Sequence, residues 1–222
     1  MERAERPVIR DRERDRLFDA ALLELGRRGR DQLTSADVLT AAGISQEDFE
    51  AEFEDLDSCL FAAFDRLTEG LARAARAGRG VDAEWTQRAR VGLGTLLEQL
   101  ATHPEMARML TEAFPAIGPL AQMRYTEFLE TFTPLLRGAR ALSPVEGEPP
   151  GELEMLAIGA AEAIICEEIQ AGRTTQLPAM APTILVALLA PFLGNERALA
   201  LTEGDLRPGV SGPVASSVNL PS

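Results

Sequence analysis

The chain has 222 residues, of which 45% are apolar, and it carries a net charge of −13. That much apolar content excludes global disorder and is enough to bury a sizeable core. The charge disfavours generic binding to nucleic acid or anionic membranes.

The charge is unevenly spread. All 22 basic residues are Arg. Residues 1–30 hold nine Arg against seven acids, whereas residues 31–65 hold ten acids and no Arg. The N-terminus, "MERAERPVIRDRERDR", is charged rather than apolar, which predicts no signal peptide. Strand-like alternation is nearly absent, and the pattern predicts an all-α protein.

A first helix is predicted from about Pro7 to Arg28, with Phe18, Ala21, Leu22 and Leu25 as its buried stripe and Gly26 and Gly29 near its end. Its alternating charges permit near-neighbour pairs such as Asp11–Arg14. Thr34 or Ser35 is a fitting N-cap for a short second helix closed by Gly43, and Ser45 caps a third. Val38, Leu39, Ile44, Phe49 and Phe53 supply the apolar side of this unit. A fourth helix is predicted from about Leu56 to Ala77, with Leu56, Leu60, Ala63, Phe64, Leu67 and Leu71 as its apolar stripe, ended by the Gly/Arg stretch "RAGRGVD".

Further helices are predicted near 84–102, 104–113, 119–139, 152–171 and 179–193, with a loop at 143–152. The run "LPAMAPTILVALLAPFLG" approaches the length of a membrane span, but three Pro interrupt it and it lacks a basic flank. It reads as a buried helix of a cytoplasmic protein. The expected division is 1–65 for a helix-turn-helix head, 66–195 for a helical regulatory and dimerisation domain, and 196–222 for a disordered tail rich in Gly, Pro and Ser.

The run "LFDAALLELGRRGRDQLTSADVLTAAGISQEDFEAEFEDLDSCLFAAFDRL" resembles the N-terminal domain of TetR-type bacterial transcriptional regulators. The resemblance spans residues 10–67 and rests on Ala21, Leu22, Gly29, Thr34, the turn Ala42-Gly43-Ile44-Ser45, Phe49, Phe53 and Leu60. It implies a homodimer whose third helices face the DNA major groove. It also implies a second domain that binds a small apolar or amphipathic ligand. The implied DNA-facing positions are Thr34, Ser45, Gln46, Glu47 and Glu50.

The DNA-contacting region departs from the family's chemistry in three places. Glu50 stands where a Tyr is usual, Leu56 where a phosphate-reaching base is usual, and Gln46, Glu47 and Asp48 follow the turn Ser45. Thr34 can still meet a phosphate and Gln46 a base edge. A head with ten acids gains no phosphate-neutralising term and adds repulsion. Two readings stay open: a regulator that binds operator DNA, and a binding or sensor protein of the same fold that has lost DNA binding.

In the second block, Met and aromatic residues recur. Trp85, Met106, Met109 and Phe114 come first, then Met123, Tyr125, Phe128 and Phe132. Adaptable Met and aromatic surfaces suit a ligand pocket, although plain core packing gives the same pattern. Two late helices are apolar on more than one face. Gly159, Ala160, Ala163, Ile164, Ile184 and Leu188 are the candidate dimer contacts there. Cys59 and Cys166 lie in apolar segments and are expected reduced. With one His and no nucleophile–base–acid set, the sequence points away from an enzyme, and no cofactor or metal is implied.

Overall fold

The computed structural model describes residues 11–77, 85–143 and 151–203. Among these residues every regular element is helical. Helix α1 (Asp11–Arg28) places acids in its first turn and Arg27 and Arg28 in its last, matching its dipole. It buries Leu17, Phe18, Ala21, Leu22 and Leu25. The expected start at Pro7 lies outside the described residues. Gly29, at φ 72°, ends the helix in a conformation that L side chains rarely adopt, and its N–H donates to the Leu25 carbonyl.

Helices α2 (Ser35–Ala42) and α3 (Gln46–Glu52) follow, joined through Gly43 in the left-handed region. Phe49 is buried, and Phe53 packs edge-on against Phe18 with ring centroids 6.0 Å apart. Helix α4 (Leu56–Ala77) has the predicted limits. It runs 22 residues without interruption, so the expected 65/66 boundary falls inside one continuous helix.

The core does not stop at that boundary either. Helices α5 (Trp85–Thr102) and α6 (Pro104–Arg108) lead into a single π turn at Met109–Ala113 and a 3₁₀ turn at Pro115–Ile117. Phe114, fully buried, stacks on Phe64 of α4 with ring centroids 3.7 Å apart. Met109 packs so close to Gly26 of α1 that a Cβ there would lie 3.2 Å from the Met109 Cβ. Head and second block thus share one apolar cluster.

The helix expected over 119–139 is two helices, α7 (Pro119–Glu130) and α8 (Thr133–Ala141). Pro134 explains the break, because its ring would strike the carbonyl of residue 130 in a continuous helix. The Thr131 and Thr133 hydroxyls donate to the carbonyls of Phe128 and Glu130 there. Helix α9 (Leu153–Gln170), a 3₁₀ segment at Thr174–Met180, and α10 (Ala181–Leu193) complete the expected set. Thr174–Leu193 is long and apolar enough to cross a membrane by composition, with a mean hydropathy of 1.7. In this fold its Ile184, Leu185, Leu189 and Phe192 are buried among the other helices.

The expected tail needs correction at its start. Asn195–Glu203 forms helix α11, which packs on α10. Ala198 is fully buried, and Arg90 donates to the Leu201 carbonyl at 2.8 Å. The Gly, Pro and Ser that suggested a tail begin only at Gly204, so composition was averaged over two different segments.

Candidate functional site: an acidic helix-turn-helix above an apolar cavity

The head is built by two helix caps. The Thr34 hydroxyl accepts from the Asp37 N–H at 3.3 Å, while the Asp37 carboxylate accepts from the Thr34 N–H at 3.0 Å and from its hydroxyl at 2.6 Å. This is a reciprocal capping box. The Thr34 hydrogen bonds hold the Asp37 carboxyl below its usual range. Ser45 caps α3, accepting from the Asp48 N–H and donating its hydroxyl to the Asp48 carboxylate.

These caps decide the chemistry of the exposed surface. Thr34, Ser45, Gln46, Glu47 and Glu50 are all exposed, as a DNA-facing set requires. Yet Thr34 and Ser45 already donate to the protein's own carboxylates. Gln46 donates its amide to Glu50 at 2.6 Å. A phosphate or base edge would have to displace these partners.

Several head acids are neutralised internally in ways the sequence did not indicate. Arg14 reaches Glu52 on α3 through two nitrogens, at 2.7 and 3.0 Å, rather than the neighbouring Asp11. Arg30 donates to Asp57 at 2.6 Å, and Arg28 bonds both Glu24 and Asp37. Leu56 is buried rather than facing DNA, so it is a core position at the start of α4. Cys59 is buried one turn later, and burial pushes its thiol up to about 12.

The second block encloses a cavity of about 400 Å³ between α5, α7, α8 and α9, within the roughly 300–1,000 Å³ of small-molecule sites. Four candidate residues line it: Trp85, Tyr125, Phe128 and Phe132. Tyr125 and Phe128 fall at i and i+3 on one face of α7, and Phe132 follows in the break before α8. Thr111, in the π turn, also reaches the wall, and π turns often mark functional sites.

The other four candidates lie elsewhere. Met109 and Phe114 are core residues between head and second block. Met106 lines a separate groove with Phe18 and Leu22 of α1. Met123 is 52% exposed. It sits two residues from Tyr125, about 200° around the helix, so both cannot face one cavity. Composition alone could not separate these roles.

Sequence reasoning missed the polar centre of the cavity. Glu162 on α9 lines the wall, and its Oε1 accepts from the Tyr125 hydroxyl at 3.0 Å and from the Cys166 thiol at 3.1 Å. Burial pushes both donors up, Cys166 to about 12, with Glu162 adding to each shift. They therefore remain neutral donors to one carboxylate oxygen. A Glu set among apolar residues in the middle of the helix was the available signal.

The candidate dimer residues divide by face. Ala160 and Ala163 are exposed and share a stripe with Leu156, which is 66% exposed. Gly159 and Ile164 are half-buried at its edge. Ile184 is fully buried and Leu188 lines the cavity, so both point into their own chain. The outward side of α10 instead carries Thr183, with Ala187 half-buried one turn on. Because α10 is apolar all round, periodicity could not choose its face.

The arrangement matches a known one. A solved structure of the fatty acid degradation regulator FadR from Bacillus halodurans superposes with a TM-score of 0.69 over 86% of this chain and 98% of that chain, at 14% identity. The likeness is one of fold, and both chains are helical. No family model and no curated protein sequence matches the chain.

Proposed function

We propose that this protein is a TetR-type, ligand-responsive transcriptional regulator that works in the cytoplasm as a homodimer and is not an enzyme. One observation carries the reading: α4 begins in the helix-turn-helix head and ends with Ala75 in the wall of an aromatic-lined cavity. A small apolar or amphipathic molecule in that cavity touches the same helix that supports the head. The similarity to a fatty acid degradation regulator fits an apolar occupant. The exposed stripe Leu156–Ala160–Ala163 on α9 supports a subunit contact, with Thr183 and Ala187 of α10 as neighbours.

A specific observation favours a second reading, a sensor that no longer reads DNA. The exposed donors of α2 and α3 are occupied by Asp37, Asp48 and Glu50. Fluorescence anisotropy on DNA from the protein's own upstream region, at about 50 and 200 mM salt, separates the two. Saturable binding that weakens with salt supports the regulator. No binding from a folded dimer at the lower salt selects the sensor.

A further inference from the structure

We propose that the cavity selects a lipophilic cation, an elongated amine whose ammonium group is held by Glu162. This rests on the cavity being a ligand site, and it goes further by naming the head group.

The wall around Glu162 is apolar, with Ile158, Ala161 and Ile165 on the same helix. Among the described residues its hydrogen bonds come only from Tyr125 and Cys166, both to Oε1. Both donors are neutral, so they orient the carboxylate without supplying a counter-charge. No arginine or histidine pairs with it among the described residues. A carboxylate in an apolar wall is costly unless a cation or further donors reach it. Oε2 is left to accept from an incoming ammonium N–H.

The surroundings suit the same guest. Tyr125 reaches the carboxylate through its hydroxyl, its ring centroid lies 6.3 Å from that of Phe128 in the same wall, and aromatic faces attract ammonium groups. Along α5 the lining runs from Trp85 to Leu100, a rise of about 22 Å, which suits a chain-like body. An anionic head at Glu162 meets like charge. Arg88, near Trp85 on α5, is the one lining cation among the described residues, and it is the group an anionic ligand would seek instead.

The test uses three probes with one chain and different heads: decylamine, decanol and decanoate, each below its micelle concentration. Binding to the full chain is followed through Trp85, the single tryptophan. The expected result is decylamine bound at least about tenfold more tightly than decanol or decanoate, as a charge-assisted hydrogen bond in an apolar wall implies. Glu162→Gln removes that advantage. Equal or tighter binding of decanol or decanoate to the wild type overturns the proposal while leaving the cavity as a ligand site. So does a decylamine preference that survives Glu162→Gln. If no probe binds the folded chain, the cavity reading and the cation proposal fall together. The wild-type ranking decides the matter even if the variant does not fold.

Discussion

Trp85 donates its indole N–H to the Leu135 carbonyl at 2.8 Å, and its ring occupies the space that a Cβ on Gly138 would need. One glycine therefore seats the aromatic wall of the cavity against α8. Gly138→Ala is expected to push the indole out, shift its emission to longer wavelength, and lower stability by about 1–3 kcal/mol through overpacking. Emission spectra and urea midpoints check this, and an unmoved spectrum would remove Gly138 from the account of the cavity.

Two glycines of α5 make a matched pair. A Cβ at Gly92 would overlap the Ala75 carbonyl oxygen, a backbone atom that cannot rotate away, whereas Gly94 faces open space. Gly92→Ala is expected to destabilise by about 1–3 kcal/mol. Gly94→Ala is expected to stabilise by about 0.5–1 kcal/mol, by removing helical glycine. Denaturant titration of the two variants reads the signs directly.

Phe114 joins the head to the second block through its stack on Phe64 and an edge contact with Phe61, ring centroids 5.6 Å apart. Phe114→Ala is expected to cost about 3–5 kcal/mol, the usual toll of an emptied aromatic site. Calorimetry should show the whole chain melting at a lower temperature in one transition. A lower transition confined to one half would mean that the two blocks are not coupled through this ring.

How much of this was legible beforehand follows from the period of each helix. The stripes of α1 and α4 were readable because polar residues mark their outer faces, and Leu22, Leu25, Leu60 and Phe64 are buried as expected. The faces of α10 were not, because no charged residue marks a side. The pairs Arg14–Glu52 and Tyr125–Glu162 join residues far apart in sequence, and no local pattern announces such contacts. Leu56 belongs to the α4 stripe and is buried with it, so the position where a phosphate-reaching base is usual is a core position here.

Arg140 and Glu154 clamp α8 to α9 through two short hydrogen bonds, 2.7 and 2.6 Å. The guanidinium holds the Glu154 carboxyl below its ordinary value of 4.5. A depressed carboxylate stabilises the fold above the unfolded-state value and loses that contribution as pH falls through the folded one. Glu154→Gln is thus expected to cost about 1.5–3 kcal/mol at pH 7, in line with hydrogen bonds to charged groups. The gap should close as the pH is taken below the ordinary Glu value, which urea midpoints between neutral and acidic pH will show. A gap independent of pH would assign the effect to packing.

The acidic head offers its own test. Glu47, Glu50 and Glu54 are exposed, so they can be neutralised without touching the core. A triple change to Gln is expected to raise DNA affinity at low salt by about tenfold or more, as like-charge contacts are removed. Anisotropy against an unrelated duplex gives the control. If the variant gains nothing on either DNA, the carboxylates are not what limits binding.

Helix α4, 22 residues without a break, is about 33 Å long. Its two ends serve different neighbours: Leu56 and Leu60 sit in the head core, and Ala75 meets Gly92 and the cavity wall. A stiff arm of that length multiplies small angles. A tilt of about 5° at one end displaces the other by about 3 Å, nearly the spacing of adjacent base pairs. On the proposed reading, a guest that shifted Ala75 by a fraction of its own width would have a mechanical advantage over the head, and Phe114, stacked on Phe64, would move with the arm.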